Sequence, residues 1–244
     1  MSDISVPAGT SAADEPSVLV CDLGGANLKL WCSRTGAAVK VPSGPDYSPA
    51  DLVRDVPAAT AGWPVDRITV GVPTGVSHGR CYSEPHNIGE GWLDFDVARA
   101  FAVPAEIIND AVMQALGSYQ GGIMLFLGLG TGLGTALVHD GHPVGLEIQH
   151  LPYHDGLTYE DRTGTRGLER FGQERWQEAV FDVVKRMKDA TVADYVVLGG
   201  GNVRHLDALP PACRRGSNAN AFLGGYRLWA GAEAGLQTDG LSPS

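Results

Sequence analysis

The chain has 244 residues, of which 43% are hydrophobic and 19% are charged, and its formal net charge is −10. This composition predicts a folded protein long enough to bury a sizeable core, and it excludes a wholly disordered chain. The acidic balance argues against nucleic acid as the main partner. No apolar run is long enough to span a bilayer, so we expect no membrane partner.

The cysteines and the first residues set two further expectations. The four cysteines, Cys21, Cys32, Cys81 and Cys213, show neither a disulfide framework nor the paired spacing of a zinc site. We therefore expect a reduced, cytoplasmic protein without zinc. Residues 1–16 are small, polar and turn-forming, which predicts a disordered tail.

Three short strands and a helix open the ordered part of the chain. Apolar residues at about 18–23, 28–33 and 37–42 predict an antiparallel meander. Ser48 then has the features of a helix cap, because a proline occupies the first helical position and an acid the third. Pro57 is expected to end or kink this helix.

The turn between the first two strands contains two glycines after an aspartate. Asp22 stands at the end of the first strand, and Gly24 and Gly25 let the backbone bend and approach another group closely. N–H groups in such a turn can hold phosphate, and the carboxylate can hold a magnesium ion. An ordinary tight hairpin is the alternative.

A long loop separates the next two strands. The strand at 68–72 stops at a proline, and residues 73–93 then form a loop rich in Gly, Pro, His and Asn. Ordered loops of this length are usually functional. A short helix at about 95–102, capped by Asp94, and a strand at 106–108 follow.

Asn109 and Asp110 come directly after that strand and begin a helix that runs to about Tyr119. A helix cap is the commonest use of an aspartate at this position. The alternative is a general base: Asp110 would take a proton from a hydroxyl, and Asn109 would bond a neighbouring hydroxyl. Phosphoryl transfer needs little from the protein beyond such a base, positioning and charge stabilisation. The residues alone leave both interpretations open.

A second glycine turn repeats the pattern of the first. A buried strand at 122–127 enters the turn at 128–134, and residues 135–138 lead back out. Neither a dinucleotide fingerprint nor a Walker loop fits, because the glycine spacing and the lysine positions are wrong. The two similar hairpins predict duplicated α/β domains.

The second half of the chain leads to a third glycine cluster. We expect a strand at 144–149, an irregular region to about 172, a helix at 173–189, a strand at 196–198 and a helix at 219–232. The last of these strands enters Gly199-Gly200-Gly201-Asn202. Three such turns suit a nucleotide or a polyphosphate that lies in a cleft between two domains.

Glu147 and His150 place a carboxylate and an imidazole three residues apart in an irregular stretch. Both groups can bond vicinal hydroxyls, and the alternative is a surface glutamate with a capped or core histidine. A series of arginines follows, and acidic neighbours balance it, so a solvated face is the default. The arginines are Arg162, Arg166, Arg170 and Arg175, and the acids are Glu160, Asp161, Glu169 and Glu174.

Five stretches in this order resemble the motifs of the ROK sugar kinases of the actin/hexokinase-like superfamily, and most closely those of the polyphosphate glucokinase branch. The stretches are Asp22-Leu23-Gly24-Gly25-Ala26-Asn27-Leu28-Lys29, Pro73-Thr74-Gly75-Val76-Ser77-His78-Gly79 with Asn87 and Trp92, Asn109-Asp110-Ala111, Gly128-Leu129-Gly130-Thr131-Gly132-Leu133-Gly134, and Leu198-Gly199-Gly200-Gly201-Asn202. The resemblance implies an α/β fold with two RNase H-like domains around a cleft. Their implied extents are 17–110 together with about 225–238, and 111–224.

The resemblance also implies a role for each candidate site residue. Asp22 would hold the metal and the donor phosphate, and Asp110 would be the catalytic base. The residues implied to contact the sugar are Asn87, Asn109, Asp110, Glu147 and His150. The residues implied to contact the phosphoryl donor are Asp22, Gly24, Gly25, Asn27, Lys29, Gly130, Thr131, Gly132, Gly200 and Gly201.

These implied roles predict a cytoplasmic kinase that phosphorylates the 6-hydroxyl of glucose or a related hexose, with Mg²⁺ and either ATP or polyphosphate. The resemblance also implies a homodimer and no zinc. Gln149 replaces the family's glycine between Glu147 and His150, and Ala26 replaces a hydroxyl residue. These departures keep two alternatives open: an inactive sugar- or nucleotide-binding protein, and a kinase for another sugar such as an amino sugar.

A polyphosphate donor would need a basic track, because phosphate contacts and released counterions supply most of the affinity for a polyanion. Arginine suits this role, since its planar fork can contact phosphate with two hydrogen bonds. The candidates are Arg162, Arg166 and Arg170, with Arg204, Arg214 and Arg215 near the third glycine cluster.

Overall fold

The first of two mixed sheets contains the first glycine turn. The computed structural model describes residues 15–217 and 219–233. The strands from the first half of the chain are β1 (Val18–Leu23), β2 (Asn27–Cys32), β3 (Ala38–Pro42), β4 (Arg67–Val72), β5 (Val76–Ser77), β6 (Arg80–Cys81) and β7 (Ala105–Asn109). The sheet order is β3-β2-β1-β4-β7, in which the first three strands are antiparallel neighbours and β4 and β7 run parallel to β1. β5 and β6 form a separate small hairpin in the long loop.

The second sheet repeats this topology around the second glycine turn. Its strands are β8 (Ile123–Leu129), β9 (Leu133–His139), β10 (His142–Leu146), β11 (Tyr195–Gly199) and β12 (Cys213–Arg215). Their order is β10-β9-β8-β11-β12, again a three-stranded meander followed by two parallel strands. β10 ends at Leu146 and a 3₁₀ turn occupies Ile148–His150, so the expected strand at 144–149 is wrong in its second half. β12 was not predicted.

The helices confirm the local capping signals and correct several boundaries. They are α1 (Pro49–Ala59), α2 (Val97–Ala100), α3 (Asp110–Ser118), α4 (Tyr159–Thr163), α5 (Thr165–Thr191) and α6 (Asn220–Glu233). Ser48 and Asp51 form the expected capping box. Pro57 lies inside α1, which ends only at Ala59. Asp96, not Asp94, occupies the position before α2.

α5 starts much earlier than the apolar periodicity predicts. It begins at Thr165 instead of 173, and Gly172, with φ of +77°, interrupts its helical geometry. A glycine can adopt this conformation without a steric penalty, so the helix continues beyond it after a kink. The apolar face that the sequence indicates belongs only to the part after the kink.

A shared apolar core joins the two sheets through α3 and α6. Val20 of the first sheet and Phe126 of the second belong to one buried cluster, which also includes Trp229. The Thr69 hydroxyl donates to the carbonyl oxygen of Gly225 and accepts from the Trp229 indole, both at 2.8 Å. These contacts hold α6 against β4, so the last helix returns to the first sheet.

Some predicted segments fall outside the described part of the chain. This applies to all of the predicted tail 1–16 except its last two residues, and to 234–238 of the first predicted domain. The two domain boundaries therefore remain predictions. Within the described residues, no helix combines the length and apolar character needed to cross a membrane.

Candidate active site

An ion pair stands beside the first glycine turn. Asp22 and Lys29 face each other across the β1–β2 ladder, and the Lys29 Nζ lies 2.7 Å from Oδ2 of Asp22. The Asp22 side chain is only 14% exposed, whereas that of Lys29 is 38% exposed. The two charged residues that were predicted to contact the donor therefore lie together, and each partly neutralises the other.

The first turn is closed by backbone bonds and packs against the long loop. The N–H of Gly24 donates to the carbonyl oxygen of Asn27 at 3.0 Å, and the Ser43 hydroxyl donates to the Gly24 carbonyl at 2.6 Å. A Cβ on Gly25 would lie 3.1 Å from the carbonyl oxygen of Asn87. Glycine at this position therefore allows the loop to approach, and the predicted sugar-binding Asn87 lies next to the predicted phosphate turn.

Asn109, and not Asp110, caps α3. Its side-chain oxygen accepts from the N–H groups of Ala111 and Val112 at 2.9 and 3.1 Å, and its amide donates to the carbonyl oxygen of Thr74 at 3.0 Å. The interpretation of Asp110 as the cap is thus wrong, because Asp110 is the first helical residue. Since the Asn109 oxygen is engaged by the helix, a contact from Asn109 to a sugar would have to come from its amide nitrogen.

Asp110 lies where three carboxylates come close together. Burial raises its pKa, and the negative charges of Asp22 and Glu147 add to that effect, so the pKa of Asp110 reaches about 7. A hydrogen bond from the Ala111 N–H to Oδ1, at 2.7 Å, acts in the opposite direction but does not cancel the increase. A carboxylate with this pKa can exchange a proton near neutral pH.

Glu147 reaches this region from the second sheet. It follows β10, and a Cβ on Gly75 would lie 3.1 Å from its Oε1. Gly75 adjoins Thr74, whose carbonyl oxygen binds Asn109. The structure therefore brings Glu147 to the candidate base across the two sheets. His150 is exposed at the end of the same 3₁₀ turn.

A carboxylate from α4 lies against the second glycine turn. Its Gly130 N–H donates to the Gly132 carbonyl at 3.1 Å, and its Leu133 N–H donates to Oε2 of Glu160 at 3.2 Å. A Cβ on Gly132 would collide with the same carboxylate. Glu160 was predicted to belong to a solvated face, which is wrong. A capping box of Thr158 and Asp161 begins α4, which contains Glu160; this local signal indicates the helix but not its contact with the turn.

The third glycine cluster supports the second turn. The Gly130 carbonyl oxygen accepts from the Thr165 N–H, the Thr165 hydroxyl and the Asn202 amide, each at 3.0 Å. Gly200 has φ of +82°, and a Cβ there would collide with the backbone of Leu129. Gly201 begins a 3₁₀ turn, and space beside it is open. The predicted donor residues of both clusters, including the exposed Thr131, therefore lie together.

Two members of the candidate basic track are engaged elsewhere. Arg215 donates to the carbonyl oxygens of Val203 and Leu206 at 2.6 and 2.9 Å. The Arg214 guanidinium stacks on the Tyr195 ring at 4.5 Å. Both arginines contact the protein's own structure while remaining exposed, and their place in the track stays a prediction. α5 begins beside the second turn, because its Thr165 bonds Gly130, and Arg166 and Arg170 are exposed on this helix.

Sequence comparison gives one curated relative. No family model matches the chain. A polyphosphate glucokinase from Mycobacterium leprae is 26% identical over 140 residues, which cover 51% of this chain. The match spans only 43% of that relative's length.

Solved structures give a likeness over nearly the whole chain. The inorganic polyphosphate/ATP-glucomannokinase from Arthrobacter sp. strain KM superposes with a TM-score of 0.75 at 22% identity, covering 88% of this chain and 99% of that one. A ROK family glucokinase from Streptomyces griseus, in complex with glucose and AMPPNP, gives 0.68 at 15% identity, with 87% and 98% covered. The ROK hexokinase from Thermus thermophilus gives 0.65 at 20% identity, with 90% and 100% covered. The α/β fold with two RNase H-like units is thereby confirmed, and the chain has the fold of the ROK-family sugar kinases that its motifs resemble.

Proposed function

We propose that the protein is a kinase that transfers a phosphoryl group from ATP or polyphosphate to the 6-hydroxyl of glucose or a related hexose. The observation that carries this proposal is the position of Asp110. It begins α3 beside the first glycine turn, faces Glu147 from the other sheet, and has a pKa of about 7. A structural cap would need neither this pKa nor these neighbours.

The proposed chemistry divides among the charged groups already described. Asp110, when ionised, accepts the proton of the sugar hydroxyl as that oxygen attacks the terminal phosphorus of the donor. The bond between this phosphorus and the bridging oxygen breaks, and ADP or the shortened polyphosphate leaves with the electron pair. The Lys29 ammonium and the N–H groups of the glycine turns stabilise the charge on the transferred phosphoryl group. Asp22 keeps Lys29 oriented through their 2.7 Å ion pair. Positioning and charge stabilisation supply most of the rate acceleration in reactions of this class.

The charge arrangement fits a magnesium ion that the donor brings. The described residues contain no group of three or more His, Cys, Asp or Glu side chains placed to hold a metal. Mg²⁺ in kinases is usually held by one or two carboxylates, with substrate phosphates and water as the other ligands. Asp22 would provide such a carboxylate, and the ion would supply charge neutralisation on the donor phosphates.

The sugar would lie between the long loop and the end of β10. We expect Asn87, Asn109 and Asp110 to contact it from the first half of the chain, and Glu147 and His150 from the second. A carboxylate and an imidazole can together bond two neighbouring hydroxyls. The names of the relatives support a hexose, since they include a polyphosphate glucokinase and a polyphosphate/ATP-glucomannokinase. A cytoplasmic homodimer remains part of the proposal.

A coupled assay with several hexoses and both donors tests the proposal. We expect Mg²⁺-dependent turnover of glucose with at least one donor, and almost none in Asp110→Asn. Glucose binding without turnover in the wild type would instead support an inactive binding protein. Preference for an amino sugar would favour the other alternative and would leave the role of Asp110 intact.

The salt dependence of KM distinguishes the donors. A long polyanion releases more counterions than ATP, so its KM should increase more steeply with salt. Arg166 and Arg170 are exposed on α5, next to the second turn, and charge reversal at both should weaken polyphosphate selectively. Arg99→Glu is the control, because Arg99 is exposed on α2 in the first half of the chain. Equal responses of the two donors would contradict a basic track.

A further inference from the structure

Gln149 stands where the resembling family has glycine, and its side chain connects the two groups proposed to hold the sugar. Its Nε2 donates to Oε2 of Glu147 and lies 3.4 Å from Nε2 of His150. Its Oε1 lies 3.3 Å from the hydroxyl of Thr135. We propose that Gln149 is a positioning residue that fixes the Glu147 carboxylate and the His150 ring, and thereby selects sugars with unsubstituted hydroxyls. This inference rests on the proposed function.

The orientation of the Gln149 amide follows from its neighbours. An ionised carboxylate only accepts hydrogen bonds, so the NH₂ group must face Glu147. The carbonyl end then faces Thr135, which is 2% exposed on β9 and whose hydroxyl also lies 2.5 Å from the Leu146 carbonyl oxygen. The single hydroxyl proton of Thr135 goes to the closer Leu146 oxygen, so the Glu147 carboxylate, and not Thr135, sets the direction in which the amide points.

The same amide selects one tautomer of His150. Its second N–H faces the Nε2 of the ring, which must therefore act as an acceptor. The ring proton is then on Nδ1, and this N–H is left to donate to a hydroxyl. Without the amide, either nitrogen could carry the proton, and only part of the population would present the donor.

The amide also restricts what Glu147 can bind. Gln149 takes up one lone pair of Oε2, which leaves Oε1, on the side that faces Gly75, as the less occupied oxygen for the sugar. The side chain of Gln149 fills space between Glu147 and His150 that a glycine would leave open. A sugar hydroxyl fits beside the Gln149 side chain. A 2-acetamido group is larger, and it would collide with the Gln149 amide when Glu147 and His150 bind the sugar at that ring carbon.

Two substitutions separate hydrogen bonding from volume. Gln149→Met keeps the length of the side chain but removes the amide, and Gln149→Gly restores the open space. Because two hydrogen bonds are lost, the glucose KM should increase about tenfold in both, with kcat within about twofold and the donor KM unchanged. Gln173→Met is the matched control, since Gln173 is exposed and bonds Asp207 away from the site. An unchanged glucose KM in Gln149→Met would overturn the positioning role.

The preference between two sugars tests the effect of the side-chain volume separately. The ratio of kcat/KM for N-acetylmannosamine to that for glucose should increase in Gln149→Gly and not in Gln149→Met. Equal ratios in the two variants would overturn selection by the side chain.

A spectroscopic measurement separates failure of this inference from failure of the proposed function. Ring ¹⁵N shifts of His150, identified by their loss in His150→Gln, should show the Nδ1–H tautomer in the wild type and a mixture in Gln149→Met. Identical His150 spectra in both proteins would overturn the inference. This experiment needs neither substrate nor turnover, whereas a wild type that phosphorylates no sugar with either donor contradicts only the proposed function.

Discussion

The two glycine turns follow the same order of strand, turn and strand, yet their surroundings differ. The first turn lies beside its own ion pair, Asp22 with Lys29, and one of these charges acts on Asp110. The second turn has no charged residue and holds the carboxylate of Glu160 from α4. Its Gly130 carbonyl is fixed by three hydrogen bonds. One topology thus supports two kinds of site.

The difference indicates a division of labour between the two sheets. At the first turn, charges that face one another tune the protonation of a base. At the second, neutral hydrogen bonds hold the backbone rigid, and the Glu160 carboxylate lies against the turn that is proposed to bind the donor. Charge changes at the first turn should therefore affect the rate, whereas changes at the second should affect donor affinity and stability.

Asp110→Asn should have the largest effect, because it removes the proposed base and keeps its shape. A positioned base contributes about a hundred- to ten-thousand-fold, so kcat should decrease by that factor. In the wild type, kcat/KM should decrease as the pH falls below about 7, because Asp110 is then protonated. Turnover close to that of the wild type in the variant would contradict the assignment.

Asp110→Asn should increase the stability of the protein at neutral pH, although it decreases kcat. Because the folded-state pKa of Asp110 is raised to about 7, the folded protein holds this proton more tightly than the unfolded chain does. Stability is therefore lost as pH rises through the range from about 4 to about 7. Asp110→Asn should be more stable than the wild type above pH 7 and similar to it below pH 4. Denaturant unfolding at both pH values checks this.

Changes to the ion pair should shift the pH profile in opposite directions. Asp22→Asn removes a negative charge that raises the pKa of Asp110, so the acid limb of kcat/KM should move to lower pH. Lys29→Met removes the positive charge that partly neutralises Asp22. The pKa of Asp110 should then increase further, and the acid limb should move to higher pH. Each should also reduce kcat, on the order of a hundredfold, through lost charge stabilisation. Shifts in the same direction would show that the pair does not tune Asp110.

At the second turn, Glu160→Gln should improve donor binding. The substitution keeps an acceptor for the Leu133 N–H but removes a negative charge from the place where phosphate is expected. Loss of one repulsive charge is worth about 1 kcal/mol near a protein surface, so the donor KM should decrease about fivefold while the sugar KM is unchanged. Glu178→Gln serves as the control, because Glu178 is exposed on α5 beyond the kink at Gly172. A higher donor KM would mean that Glu160 orders the turn for the donor.

Local signals account for the parts of the fold and site that the sequence predicts well. Both hairpins, the Ser48 cap and the position of Asp110 follow from short-range patterns of apolar, glycine and capping residues. Glu160 reaches the second turn across a long segment, so no spacing within the turn could indicate it. Gln149 differs from Glu160, because the sequence shows the departure from glycine, whereas the contacts of its amide with Glu147 and His150 depend on the 3₁₀ turn. β12 is only three residues long and has no alternation to detect.

Asn202→Ala should have the smallest effect, because it removes only one of the three bonds to the Gly130 carbonyl. The Asn202 amide also lies 3.0 Å from the Thr165 hydroxyl, so the two side chains share one acceptor and contact each other. We expect a loss of about 1 kcal/mol, or roughly 2–4 °C in Tm, with kcat within about twofold. Thr165→Ala should cost a similar amount, about 1 kcal/mol. The double variant should not be additive, since each residue partly compensates for the other at Gly130. Additive losses would show that the two residues act separately, and that the second turn is held less rigidly than its bonds indicate.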